Sequence, residues 1–243
     1  MVFDRIIAVR NNKTVYRDGN RCLKVFGNGF SMADILNEAL NQAIAAEAGL
    51  RVPKILEVTI ADGELIIVSE YVKGKTLAQL MRQYPEKREE YLNFFVDLQL
   101  EVLKKSCPML RPLHEKMKMK LGQADLRATV RFDLIAKLEA MPRERMLCHG
   151  DFNPTNIIVS DDGTPTVIDW SHAAQGSADA DAARTYLLLC LNGEETESER
   201  YLELFCKKNG TAVTKVREWM PIVAAAQSVK GSTTECEFLQ KWY

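Results

Sequence analysis

The chain has 243 residues, of which 47% are hydrophobic and 27% charged, with a formal net charge of −1. That length accommodates one large domain or two small lobes, and the near-neutral balance offers no field for nucleic acid or an anionic membrane surface. No apolar run approaches the ~18 residues that span a bilayer. The opening MVFDRIIAVR has neither a secretory nor a transit-peptide pattern, so a cytoplasmic location is expected.

In chain order, Arg5–Val9, Thr14–Tyr16 and Arg21–Phe26 are short β-prone runs, and Asp18-Gly19-Asn20 supplies a turn between the last two. Ser31 followed by Asp34 predicts a capping box opening a helix that runs to about Ala48. Gly49 closes that helix, and Pro53 forbids its continuation. Ile35, Leu36, Ala39, Leu40, Ala43 and Ile44 define its expected apolar face. Ile55–Ile60 and Glu64–Glu70 then alternate around Asp62-Gly63 as a second hairpin. Residues 73–146 carry helical periodicity, as in Tyr91, Phe94, Phe95, Leu98 and Val102. Residues 147–170 return to hairpin spacing, and from Asp179 onward the chain is helical again, with Leu187, Leu188 and Leu191 on one stripe. The predicted class is α+β: a small antiparallel β-lobe with one helix over residues 1–72, and a larger, mainly helical lobe over 73–243.

Six cysteines are scattered without a C-x-x-C pair, and the three histidines, His114, His149 and His172, have no cysteine pair to join. Reduced thiols are therefore expected and a zinc site is not.

The richest stretch is Leu147-Cys148-His149-Gly150-Asp151-Phe152-Asn153-Pro154-Thr155-Asn156, leading into Ile157–Val159. A turn at Asp161-Asp162-Gly163-Thr164-Pro165 follows, then a return strand Thr166–Ile168 and Asp169-Trp170. Antiparallel pairing sets Asn156 beside Asp169, at Cα separations of ~4.5–5.5 Å for paired positions. An amide oxygen and a carboxylate can then share a hard cation, and Asp151 lies on the loop entering the same end. Phosphoryl transfer needs such a set, because a metal neutralises phosphate charge while a separate carboxylate accepts the hydroxyl proton. Magnesium suits oxygen donors and keeps several waters, so two protein ligands suffice.

His149-Gly150-Asp151-x4-Asn156 with Val167-Ile168-Asp169-Trp170 resembles the aminoglycoside phosphotransferase and choline kinase superfamily, which has a protein-kinase-like bilobal fold. The resemblance implies a kinase using ATP or GTP as co-substrate, Mg2+ as cofactor and the hydroxyl of a small molecule as acceptor. It makes Asp151 the catalytic base, Asn156 and Asp169 the metal ligands, and His149 a brace for the loop. Lys24 in Cys22-Leu23-Lys24-Val25-Phe26 matches the phosphate-pairing lysine of the third strand. Glu38 is favoured as its helix partner, with Glu47 as the rival. Glu70-Tyr71-Val72-Lys73-Gly74 matches the adenine-binding hinge through Glu70 and Val72. Asp181 matches the aspartate that buttresses the catalytic loop.

The turn Arg10-Asn11-Asn12-Lys13-Thr14 departs from the pattern, having no glycine and so no cradle of backbone amides. Asn11 or Asn12 is expected in the left-handed region, with Lys13 or Thr14 near phosphate. A nucleotide-binding pseudokinase or scaffold is therefore the alternative reading. A protein kinase is disfavoured because Gly150 replaces the loop arginine, Trp170-Ser171 follows Asp169, and only eleven residues separate Asp169 from Asp181. A hydrolase using His149, Asp151, Asp169 and His172 lacks further ligands. Glu194, Glu195, Glu197, Glu199 and Glu203 suggest a negative wall for an amine-bearing acceptor, against the plainer reading that they favour a helix start.

Overall fold

Strand propensity and turn chemistry build the first five strands almost unaided. β1 (Arg5–Arg10), β2 (Lys13–Asp18) and β3 (Arg21–Phe26) pair antiparallel in succession. The sheet is completed by β4 (Ile55–Ala61) and β5 (Glu64–Glu70), in the order β1-β2-β3-β5-β4. Between β4 and β5, Asp62 at φ 52° and Gly63 at φ 82° form the two-residue turn whose twist matches the flanking strands. In this computed structural model, residues 5–10, 12–229 and 231–243 are described. The expected left-handed residue before β2 is Asn12, at φ 56°; Asn11 lies outside the described residues.

Helix α1 (Met32–Glu47) starts at Ser31, whose hydroxyl accepts from the Asp34 N–H while the Asp34 carboxylate accepts from the Ser31 N–H. Its buried face differs from the expected one. Leu36 and Leu40 are 48% and 50% exposed, whereas Ile35, Glu38, Ala39, Asn41, Gln42, Ile44 and Ala45 are buried. Apolar periodicity misplaced the face because three polar residues on it are hydrogen-bonded: Glu38 to Lys24, Asn41 to the Trp170 carbonyl and Gln42 to the Pro53 carbonyl. Under the helix, Phe26, Ile35, Ala39 and Ile67 form one cluster, while Leu23, Val25, Ile66 and Val68 form another. The period of two therefore turns Lys24 toward the face that also carries Phe26.

The chain continues through β6 (Lys75–Thr76), α2 (Leu77–Gln83), α3 (Arg88–Leu103), α4 (Leu113–Gln123) and α5 (Ala128–Ala140). The strands β7 (Met146–Cys148), β8 (Ile157–Val159), β9 (Pro165–Val167) and β10 (Ala174–Gly176) follow. Helices α6 (Ala178–Leu191), α7 (Glu195–Asn209), α8 (Val213–Glu218), α9 (Met220–Ser228) and α10 (Thr233–Leu239) complete the described chain.

Two compact units divide these elements, Met1–Pro85 with Pro154–His172, and Glu86–Asn153 with Ala173–Tyr243. The sequence places a boundary after residue 72 and assigns the hairpin to the helical lobe; the contacts gather β6, α2 and the β8–β9 hairpin into the first unit. β6 pairs with β8 through Lys75–Val159 and Thr76–Ile158, and the Val167 N–H donates to the Arg51 carbonyl at 3.1 Å. A side chain at Gly74 would run into the Val159 carbonyl, so this close pairing needs glycine there. A two-residue strand is too short to register as alternation. In the second unit, Phe95 stacks near Phe152 and Tyr201, at ring separations of 4.9 and 5.7 Å. The 114–120 charge run keeps Met117 inward as expected, and His114 is buried beside it. No helix among the described residues is long and apolar enough to cross a membrane.

Candidate active site

In the first unit, strand alternation and α1 bring the Lys24 side chain to a pair of carboxylates. The Lys24 ammonium pairs with Glu38 Oε1 and lies 3.1 Å from Asp169 Oδ1. Burial alone would lower its pKa, but the charges of Asp169 and Glu38 outweigh it, and the net shift is upward. Glu38 is itself buried. The rival Glu47 is exposed at the end of α1.

Asp169 follows the β8–β9 hairpin at φ 64°, a left-handed conformation that aspartate tolerates and most side chains resist. The surroundings hold it there. The Ser171 hydroxyl donates to Asp169 Oδ1 at 3.1 Å, and Trp170 is fully buried, its indole N–H donating to the Val167 carbonyl at 3.1 Å. From α1, the Asn41 amide donates to the Trp170 carbonyl at 3.1 Å. Helix α1 thus orients the lysine through Glu38 and fixes the backbone just after Asp169 through Asn41, three residues on. Asn156 is buried at the entry to β8, and its carbonyl accepts from the Ile168 N–H at 2.9 Å. This bond joins the two ends of the hairpin, but with Ile157 opposite Val167 and β9 at Pro165–Val167 the register sets Asn156 opposite Ile168, one residue short of the Asp169 partner expected from the sequence. The oxygens of Asn156 and Asp169 are hard donors, a set that suits magnesium and not a softer metal.

Glu70, Tyr71 and Val72 line a cavity of about 760 Å³ that is also walled by Arg51, Asp161 and Asp162. Two of the hinge amides are already engaged, the Glu70 N–H with the Lys54 carbonyl at 3.0 Å and the Tyr71 N–H with the Asn20 carbonyl at 2.9 Å.

In the second unit, the loop carrying Asp151 is fastened to α6. The Gly150 N–H donates to Asp181 Oδ1 at 2.7 Å, and the Thr185 hydroxyl donates to the Phe152 carbonyl at 2.9 Å. The Arg184 guanidinium donates to the Gly150 carbonyl at 3.3 Å. Burial pushes the Arg184 pKa down against the charges of Asp151 and Asp181. Asp181 is buried, which pushes its pKa up, while bonds from Gln99 and Gly150 oppose that rise. The Gln99 amide donates to Asp181 Oδ2 at 3.0 Å and to the Thr185 hydroxyl at 3.1 Å, and Gln99 Oε1 accepts from the Tyr201 hydroxyl at 2.6 Å. His149 is fully buried, with Nδ1 accepting from the Asp151 N–H at 3.2 Å.

The family of the chain is shown by comparison with known proteins. The family model described as "Phosphotransferase enzyme family" matches residues 6–219. The chain belongs to this family. A search of curated proteins by sequence returns no match. Among solved structures, a thermostable mutant of aminoglycoside phosphotransferase APH(4)-Ia superposes with a TM-score of 0.71 at 16% identity, covering 98% of this chain and 91% of that one. The choline kinase LicA from Streptococcus pneumoniae gives 0.67 at 16% identity, covering 100% and 92%. A choline/ethanolamine kinase family protein from Mesorhizobium loti gives 0.63 at 17%, covering 100% and 84%. The fold is protein-kinase-like, and the protein is a phosphotransferase.

Some buried contacts of this phosphotransferase are not evident from its sequence. Gln99 ties Asp181, Thr185 and Tyr201 together, and its only signal was a polar residue within the apolar periodicity of α3. Asn41 gave a similar signal on α1. Three of the glutamates of α7 are paired: Glu197 with Arg88 at 2.7 Å, Glu199 with Arg217 at 2.9 Å and Glu203 with Arg200 at 3.1 Å. Arg88 and Arg217 come from α3 and α8, outside the run, so it looked more negative than it is.

Proposed function

We propose that this phosphotransferase moves the γ-phosphoryl group of ATP or GTP onto the hydroxyl of a small amine-bearing alcohol. The observation that carries the nucleotide part is the Lys24 ammonium bridging Glu38 and Asp169. That bridge orients a cation for phosphate beside the carboxylate best suited to a metal. In this reading Asn156 and Asp169 hold Mg2+, which supplies charge neutralisation at the phosphates. Lys24, placed by Glu38, contacts phosphate oxygens, and the Glu70–Val72 backbone receives the base. Asp151 accepts the hydroxyl proton as the acceptor oxygen attacks. Asp181, Arg184 and Gln99 hold the Asp151 loop and touch no reacting atom. The first β-lobe thus serves nucleotide binding, and the helical lobe serves the acceptor and the proton transfer. Free thiols and a nucleotide co-substrate fit a cytoplasmic setting.

The amine on the acceptor is supported by the relatives, one solved as a ternary complex with ADP and hygromycin B and another named a choline kinase. The arginine-paired glutamates of α7 lend it little. Comparing kcat/KM for aminated, neutral and carboxylated alcohols tests it, and a tenfold preference for a neutral or acidic alcohol would exclude the amine.

Calorimetry or thermal shift with each nucleotide tests the co-substrate. ATP or GTP should stabilise the chain only with a divalent ion, by about 2.7 kcal/mol at a hundredfold excess over Kd. No shift with either at millimolar concentration would refute the reading. The glycine-free turn before β2 favours the pseudokinase alternative, and a turnover assay across many hydroxyl compounds separates the two.

Asp169→Ala should weaken metal-dependent nucleotide binding more than Asn156→Ala, since a carboxylate gives a hard cation more than an amide oxygen does. Titrating magnesium at fixed nucleotide measures both, and equal losses would contradict the ligand assignment.

A further inference from the structure

Lys13 opens β2 opposite Phe26, two positions along from the Val15–Lys24 pair. The period of two therefore sets Lys13 on the face of the sheet that carries Lys24. Its ammonium lies 3.3 Å from Glu38 Oε2, while Lys24 takes Oε1 of the same carboxylate. Two lysines from neighbouring strands thus share one buried glutamate. The Lys13 ammonium also lies 5.1 Å from the Phe26 ring centre and 4.9 Å from that of Phe30. Before it, the Asn12 carbonyl accepts from the Gly27 N–H at 2.8 Å, and the Asn12 amide donates to the Asn28 carbonyl at 3.1 Å. These bonds fasten the turn to the segment after β3 and fix where Lys13 leaves the strand.

The position is unfavourable for a charge that only covers aromatic rings. Burial and the neighbouring Lys24 ammonium push the Lys13 pKa down, with Glu38 and Asp169 pulling against them. An uncharged chain of the same length would cover Phe26 and Phe30 without that cost. Two adjacent ammonium groups fit a ligand with several linked negative groups, and the Arg10–Thr14 turn has no glycine from which to build an amide cradle for one. We propose that Lys13 is a second phosphate-binding lysine, set beside Lys24 by Glu38, which contacts the nucleotide polyphosphate and takes the part that a glycine-rich turn plays elsewhere. This inference rests on the nucleotide reading given above.

The test is calorimetric binding of ATP, ADP, AMP and adenosine, each with magnesium, to the full chain and to Lys13→Met and Lys13→Arg. Methionine keeps an aliphatic stem over the rings, and the Tm of each free variant reports folding. Lys13→Met is expected to weaken ATP binding about tenfold or more, ADP less, and adenosine not at all. Lys13→Arg should keep most of the ATP affinity. If the methionine variant does not fold, Lys13→Gln carries the same comparison. An ATP loss below about twofold, or an equal loss for adenosine, overturns the proposal. Wild-type protein that binds neither ATP nor GTP would refute the nucleotide reading with it, whereas intact wild-type binding that ignores Lys13→Met refutes the second lysine alone.

Discussion

Asp151→Asn is expected to lower turnover by about 10²–10⁴ while leaving nucleotide affinity within about twofold, because it removes a proton acceptor and no phosphate contact. The loop should keep its shape. The Asp151 N–H donates to His149 Nδ1 and the Asp151 carbonyl accepts from the Asn153 amide, and both are backbone groups that the substitution retains. Arg184 loses one of its negative neighbours but keeps Asp181. Measuring kcat at saturating acceptor and nucleotide Kd on the same preparation separates chemistry from binding. A drop of less than tenfold would move the base to another residue.

Asp181→Ala should be the most damaging substitution to the fold. It leaves the Gly150 N–H and the Gln99 amide without their buried acceptor, and breaking one member of a buried charged network costs about 3–5 kcal/mol. For a chain of this size, a loss of about 3 kcal/mol corresponds to roughly 6–12 °C in Tm. Asparagine restores one acceptor oxygen but turns an amide toward the Gln99 amide, and Gln99 cannot simply invert, since its oxygen accepts from Tyr201. Asp181→Asn should therefore fall between wild type and alanine. Thermal melts of the three proteins check the order, and an alanine variant within about 1 °C of wild type would mean that the network contributes little.

The sequence made local devices plain and hid distant ones. β3 and β5 begin and end where their alternation predicts, and the Ser31–Asp34 box opens α1 as expected. Each of these is determined within a few residues of itself. Lys24 and Glu38 were found through their motif and spacing, and the structure pairs them. What the sequence concealed depends on elements that meet only in three dimensions. The buried face of α1 includes polar Asn41 and Gln42 because carbonyls of Trp170 and Pro53 happen to lie there. Gln99 has its partners more than eighty residues away, and two of the α7 glutamates are neutralised by Arg88 and Arg217 from other helices. Periodicity reports which side of a helix is apolar, and only packing reveals which polar groups on it are satisfied.

That the first unit is made of two separated stretches of chain has a consequence for its birth on the ribosome. When Pro85 has been joined, Lys24 and Glu38 are already present, but the Arg51 carbonyl still lacks the Val167 N–H and the Asn41 amide still lacks the Trp170 carbonyl. Those partners arrive only after α3, α4, α5 and β7 have been made. At ~5–20 residues per second the interval is roughly 4–17 seconds. Throughout it the nascent sheet carries a helix whose buried Glu38 and Gln42 are matched while Asn41 still waits for the Trp170 carbonyl, and a fragment cut at Pro85 keeps that deficit permanently. The β8–β9 hairpin is thus the closing piece of a lobe interrupted roughly seventy residues earlier, at Pro85, and Asp169 reaches Lys24 in the same moment that the lobe is completed.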